Sequence, residues 1–232
     1  METTTDVAET FRTLVTGRHS TRGFLPEPVP DEVVEELLQT AQLSPSWCNV
    51  QPWRTYLLGG GAVTELSARL MAVKAVPEQF DVPQPERYTG VHQARRRESG
   101  YALYGALGVA REDGQRRLEQ AWENYRFFGA PHLAIITSTT LLGSYAYVDT
   151  GAYIAHLVLA ARSFGLGSIA LAAIGGRSDV VRPALRISDD EVVIAGVAFG
   201  WEDHDHPANA FRTTRADLDE IVVRVDRLPR GE

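Results

Sequence analysis

The chain has 232 residues, 44% of them hydrophobic, enough to bury a full core as one domain or as two small ones. Charged residues at 23% and aromatics at 9% match ordinary globular usage, which excludes a disordered or collagen-like chain. Lys and Arg total 23 against 30 acidic residues, and the net charge of −7 argues against a general nucleic-acid binder, which needs a concentrated basic face. The one cysteine, Cys48, cannot form an internal disulfide and fits a reducing cytoplasm. Met1 to Asp6 shows no basic stretch followed by an apolar one, so no signal peptide is expected. The longest strongly apolar stretch, around Gly151 to Ala161, is too short to cross a membrane.

The first predicted element is a helix over Asp31 to Leu43, where Val33, Val34, Leu37, Leu38 and Ala41 recur at helical spacing. Glu32, Glu35 and Glu36 favour its positive end, and Ser44-Pro45-Ser46 breaks it. Thr55 to Leu58 reads as a short strand stopped by Gly59-Gly60-Gly61. From about Pro83 to Arg126 the chain is polar and arginine-rich, with helical patches such as Tyr101 to Ala110. Pro131 to Ser138 and Val192 to Phe199 have the composition of buried strands. Between them, Asp149 to Phe164 predicts the strongest helix, apolar nearly all round, which means burial in a core or a subunit interface. Gly165 ends it. A short helix over Arg215 to Glu220 and an extended piece over Ile221 to Val225 close the chain. Helices and strands alternate without a βαβ rhythm, so an α/β or α+β mixture is expected, with no internal repeat or linker.

Several motifs carry weaker signals. Gly165-Leu166-Gly167-Ser168-Ile169-Ala170 matches the dinucleotide pattern G-x-G-x-x-A, but a helix precedes it and a strand-like stretch follows. That polarity is opposite to what a pyrophosphate needs, so a helix cap and buried turn is the better reading. His204-Asp205-His206 lacks supporting ligands and reads as a polar loop, so no metal is expected. The Arg95 to Arg97 run reads as a solvated helix face. No G-x-S-x-G elbow occurs, and nothing marks Cys48 as a nucleophile.

Two segments say more. In an extended Gly17 to Arg22, the side chains of Arg18, Ser20 and Arg22 project to one side, an arrangement suited to a phosphate or another planar anionic edge and equally to a solvated basic loop. The loop Ser44-Pro45-Ser46-Trp47-Cys48-Asn49-Val50-Gln51-Pro52-Trp53 is rich in aromatic surface and suits the wall of an aromatic ligand site, or an ordinary buried loop.

Together, R-x-S-x-R, a helix and S-P-S-x-x-N-x-Q-P-W resemble the FMN-dependent nitroreductase family. Phe128-Gly129-Ala130-Pro131, Asp149-Thr150-Gly151, Gly165-Leu166-Gly167 and Asn209-Ala210-Phe211-Arg212-Thr213-Thr214-Arg215 extend the likeness over Gly17 to Val225.

The resemblance implies one domain over residues 1–232, with a variable insert at about 83–126. Its fold would be an α+β three-layer α-β-α sandwich with a mostly antiparallel central sheet. The chain would form a homodimer, with the long helix packed on its mate and a C-terminal strand swapped onto the other sheet. FMN would be the cofactor and NADPH or NADH the donor. Arg18, His19, Ser20 and Arg22 would form the FMN-binding strand, Arg18 and Ser20 holding the phosphate with Arg215 and Arg212. Arg22 would lie near the pyrimidine edge of the flavin, where a fixed cation stabilises the charge that reduction brings. Pro45, Ser46 and Trp47 would come from the partner and cover the ring, and Asn49 would also bind the cofactor. Ala172 and Ala173 would offer backbone N–H groups near flavin N5. Trp47 and Cys48 stand where many relatives carry smaller or more polar residues, and a tryptophan beside the ring would narrow the acceptor pocket or offer a stacking wall. The implied reaction is ping-pong reduction of nitroaromatic or quinone-type acceptors at flavin N5, without a catalytic side chain. A flavin-storage protein, or chemistry such as dehalogenation or heterocycle oxidation, is the alternative.

Overall fold

A computed structural model describes residues 4–228. In chain order the elements are α1 (Thr4–Gly17), α2 (Asp31–Gln42), β1 (Trp53–Gly59), α3 (Gly61–Ala72), α4 (Gly90–Ala106) and α5 (Gly114–Trp122). They continue with β2 (His132–Thr139), α6 (Ser144–Ser163), β3 (Gly167–Leu171), α7 (Ala172–Gly175), α8 (Ser178–Leu185), β4 (Glu191–Gly200) and α9 (Leu218–Ile221). Short 3-10 turns occupy Trp47–Asn49, Glu123–Gly129 and Pro207–Asn209.

One sheet of order β1-β2-β4-β3 organises the chain, with every neighbouring pair antiparallel. β2 lies inside it and is buried over almost its whole length, with the continuous apolar run Leu133 to Ile136 followed by buried Thr137 and Ser138. Alternate residues feed two cores. Leu133 and Ile135 face Leu66 and Leu70 of α3, Phe127, Ile174 of α7 and Val181 of α8. Ala134 and Ile136 face Val34, Leu37 and Ala41 of α2 and Tyr153 and Leu157 of α6. Helices therefore cover both faces, giving the expected three-layer α+β sandwich, and each fully buried Leu or Ile stabilises it by about 1.5–3 kcal/mol.

The apolar spacing of α2 matches the buried face Val34, Leu37 and Ala41. Pro30 starts this helix through its carbonyl, which accepts from the N–H groups of Val33 and Val34. Several sequence expectations need correction. α6 begins at Ser144, five residues before the expected Asp149, because Gly143 (φ 63°) reverses the chain and the Ala146 to Thr150 turn packs inward. There Thr150 Oγ1 donates to the Ala146 carbonyl at 2.7 Å. α1, α3 and α8 were not anticipated, and the glycine run that stops β1 also starts α3 at Gly60 (φ 53°). The arginine-rich segment forms two helices, α4 and α5, neither with a buried residue. The last helix is Leu218–Ile221 rather than Arg215 to Glu220. Beyond it residues 222–225 pair with no strand among the described residues.

Candidate functional site

α1 ends at Gly17, and the chain then runs along the open edge of β3. Ser20 and Ser168 form a parallel bridge, the Thr21 N–H donates to the Ser168 carbonyl at 3.0 Å, and Phe24 bridges Glu202. The approach is so close that a Cβ on Gly167 would lie 2.7 Å from Thr21 Oγ1, so this position requires glycine for space. Extended geometry sends Thr21 inward, where it is buried, and leaves Ser20 and Arg22 half-exposed, as the alternation predicts. The segment Phe211–Arg215 faces it. Between the two walls lies a cleft of about 430 Å³ lined by Arg18, His19, Ser20, Arg22, Phe211, Arg212 and Arg215.

The electrostatics of this cleft are distinctive. Burial, and after it the like charge of Arg215, pushes the Arg18 guanidinium below its ordinary range. Burial does the same to Arg22. The Arg22 guanidinium lies 6.0 Å from the Phe128 ring centre and 5.8 Å from that of Phe211, within reach of the cation–π attraction of both. Among the described residues none of Arg18, Arg22, Arg212 and Arg215 has a carboxylate partner, whereas Arg54, Arg95, Arg177 and Arg182 all do. Arg215 bonds only within its own turn, to Thr213 Oγ1 and the Thr214 carbonyl, both at 2.7 Å. Four cations around one concavity without a counter-charge, beside the Ser20 hydroxyl, fit the phosphate of a mononucleotide.

His19 lines the cleft too, but both its ring nitrogens have protein partners. Its Nε2 lies 2.8 Å from Glu202 Oε1 and its Nδ1 3.2 Å from the Gly17 carbonyl, so the ring braces the strand. Glu202 is buried and was not anticipated; a lone glutamate after a strand carries no signal of this pairing.

The Ser44 to Trp53 loop lies elsewhere. Pro45, Ser46, Trp47, Cys48 and Asn49 do not line the arginine cleft of their own chain. The Trp47 N–H donates to Asp149 Oδ2 at 3.1 Å, and its ring tilts against Tyr145 at 5.2 Å. Cys48, Asn49 and Gln51 take left-handed φ values of 50°, 56° and 46° on either side of a right-handed Val50, a conformation that costs free energy at Cys48 and Gln51. The loop therefore holds a specific shape while Trp47 stays 64% exposed. Nearby, Tyr145 and Val148 on the outer face of α6 are 63% and 67% exposed. Ala172 and Ala173 also fall outside the cleft lining and open α7 directly after β3, with Ala172 exposed. A helix start presents N–H groups that lack intrahelical acceptors. His206 Nδ1 accepts from the Ala208 N–H at 3.3 Å, and no metal-holding group of three or more His, Cys, Asp or Glu occurs among the described residues. No helix among them is long and apolar enough to cross a membrane.

Comparison with known proteins agrees with this geometry. The model of the nitroreductase family matches residues 15–201. A 4-nitrobenzoate reductase from a Nocardioides species is 36% identical over 221 residues, covering 93% of this chain and 90% of the relative. Nitroreductase NfnB of Mycolicibacterium smegmatis is 33% identical over 222 residues, covering 94% of each. The crystal structure of the FMN-dependent nitroreductase NfnB from Mycobacterium smegmatis, in complex with NADPH, superimposes with a TM-score of 0.90 at 32% identity, over 96% of this chain and 100% of that one. By family model, sequence and fold together, the chain belongs to the nitroreductase family.

Proposed function

We propose that this chain is an FMN-dependent oxidoreductase that takes hydride from NADPH or NADH and reduces nitroaromatic or quinone-type acceptors by a ping-pong mechanism. The observation that carries this reading is the cleft in which Arg18, Arg22, Arg212 and Arg215 converge without a carboxylate. Arg18, Ser20 and Arg215 hold the phosphate, with Arg212 beside them and His19 bracing the strand. Arg22 faces the pyrimidine edge. Ala172 and Ala173 supply N–H groups toward N5. FMN, when bound, supplies the two-electron chemistry, so the protein binds and orients the ring, excludes water and tunes charge, with protons drawn from solvent. The names of the relatives, a 4-nitrobenzoate reductase and an NADPH complex of an FMN-dependent nitroreductase, support the acceptor class, the cofactor and the donor.

The same reading makes the working unit a homodimer. The exposed stripe of Tyr145 and Val148 with the exposed Trp47 beside it supports a second copy packed there. Pro45, Ser46, Trp47 and Asn49 of that copy then cover the ring, and Trp47 with Cys48 limits the size of the acceptor. Residues 221–225, whose Val223 is 86% exposed, add to the partner's sheet. Residues 1–232 act as one domain with the insert at 83–126, in a reducing cytoplasm where Cys48 stays a free thiol.

The test is reconstitution. Purified protein should bind FMN, bleach under NADPH or NADH without oxygen, and recover its colour on addition of a nitroarene. Failure to bind FMN would overturn the proposal. Bleaching that no nitroarene or quinone reverses would replace it with flavin storage.

A further inference from the structure

Asn209 ties the two walls of the cleft together: its side chain bonds to the Arg18–Arg22 wall while its main chain leads into the other. It is 4% exposed, and every polar atom of its amide is used. Its Oδ1 accepts from the Arg22 N–H at 2.6 Å. Its Nδ2 donates at 2.8 Å to the Gly23 carbonyl and at 2.8 Å to the Asp203 carbonyl. An amide offers two donors and one acceptor group, so the side chain is satisfied on all sides in a fixed orientation. The main chain of Asn209 meanwhile begins the opposite wall. Its carbonyl accepts from Arg212 Nη1 at 2.6 Å, and Phe211 and Arg215 follow within six residues. Positions 22 and 209 are far apart in sequence, and their side-chain to main-chain bond joins the Arg18–Arg22 wall to the Arg212–Arg215 wall.

We infer that Asn209 is a positioning residue for the cofactor: it sets the separation of the two arginine walls so that Arg18, Ser20 and Arg215 converge on one phosphate. It touches no ligand itself and acts through Arg22 and Arg212. The inference rests on the FMN reading above. Two flexible cationic segments could each attract an anion, but converging hydrogen bonds require their spacing to be held before the ligand arrives. Asn209 supplies that rigidity from a buried position, where loss of its bonds cannot be made good by water at no cost.

The test is a double-mutant cycle on FMN affinity, read by quenching of flavin fluorescence in apoprotein, with apoprotein melting temperature measured alongside. In the wild-type background Arg215→Ala should weaken FMN about 30-fold, and Asn209→Ala alone about 10-fold or more. In the Asn209→Ala background, Arg215→Ala should add less than about 3-fold, because Arg215 is no longer registered on the phosphate. Asn209→Ser, a milder truncation that removes the reach to Arg22 while leaving a polar group, provides the same cycle if the alanine variant does not fold. A general structural role predicts instead a lower melting temperature with FMN effects that multiply independently, and that result overturns the inference, as does wild-type affinity in either variant. Wild-type protein that binds no FMN would overturn the functional reading instead.

Discussion

Arg22 and Arg215 line the same cleft but stand in different surroundings, so replacing each with alanine should break different things. Arg215 is exposed, carries no ion pair among the described residues, and bonds only to its own turn. Its removal leaves no buried partner stranded, and apoprotein stability should change by no more than about 0.5 kcal/mol. A phosphate is charged at every stage of the reaction, so the lost charged hydrogen bond should appear wholly as weaker FMN retention. A bond to a charged group contributes about 1.5–3 kcal/mol, and exposure places Arg215 toward the lower end, roughly tenfold to thirtyfold in Kd. Arg22 is half-buried with its guanidinium between Phe128 and Phe211. Two such ring contacts are worth about 0.5–1 kcal/mol each, so Arg22→Ala should cost the apoprotein about 1–2 kcal/mol. For a chain of this length that is a fall in Tm of roughly 2–8 °C. On the proposed placement of its charge at the flavin edge that becomes negative on reduction, Arg22→Ala should also slow bleaching by NADPH or NADH about tenfold or more, with a smaller loss of FMN affinity. Three measurements separate the variants: apoprotein Tm, FMN Kd by fluorescence quenching, and anaerobic bleaching rate by stopped flow. Equal losses in affinity and rate for both variants would refute the assignment of the two arginines. An unchanged Tm in Arg22→Ala would refute the sandwich between the two rings.

Gly167→Ala should push Thr21 off β3, since the new Cβ would sit 2.7 Å from Thr21 Oγ1, and FMN affinity should fall well before the far-UV circular dichroism changes. An alanine variant with wild-type affinity would mean the strand tolerates displacement. His132 is buried, its Nε2 accepts from the Val29 N–H at 3.0 Å, and burial pushes its pKa down against the weaker pull of Asp31. The unfolded chain therefore binds the proton first, and stability present above the unfolded value of about 6.5 should be lost as pH falls toward the lower folded value. His132→Gln, which keeps an acceptor for Val29, should flatten that fall in urea titrations between pH 7 and 5; an unchanged slope would assign it to other groups. Val148→Glu places a charge on the exposed stripe of α6 and should yield monomers in sedimentation together with lower FMN occupancy, whereas a fully flavinated monomer would show that one chain completes the site.

What the sequence made legible follows from how far each signal travels along the chain. β2 and α2 were readable because their neighbours in sequence already fix which face is buried: Leu133 and Ile135 against Ala134 and Ile136, and the Val34, Leu37, Ala41 spacing. The alternation of Arg18, Ser20 and Arg22 was readable for the same reason, and the structure brings these three to one cleft with Arg212 and Arg215. α1 was harder. Its Val7, Phe11 and Val15 recur at helical spacing but are exposed in the single chain, so no core-facing stripe balances a polar face. The insert was hardest, since α4 and α5 bury nothing and Arg95 of α4 pairs with distant Glu220 at 3.1 Å.

The parts of the site that escaped sequence reasoning are those whose function is to hold something else. The Glu202 carboxylate holds His19, and the Asn209 amide holds the Arg22 N–H and the Gly23 carbonyl, contacts made across almost the whole chain. The residues proposed to face the ligand form local patterns, because an anion of fixed size demands cations at fixed spacing. The bracing residues answer to a different demand, that a buried polar group be satisfied wherever the fold happens to bring it. That demand leaves no periodic trace, yet it holds together a cleft in which four guanidiniums converge with no carboxylate partner among the described residues. The like charges of Arg18 and Arg215 push the two walls apart, and the backbone bridge to Ser168, the His19–Glu202 pair and the Asn209 amide oppose that push. An anion placed between them would offset that repulsion, so the arrangement that sets like charges together is also the one that favours a phosphate.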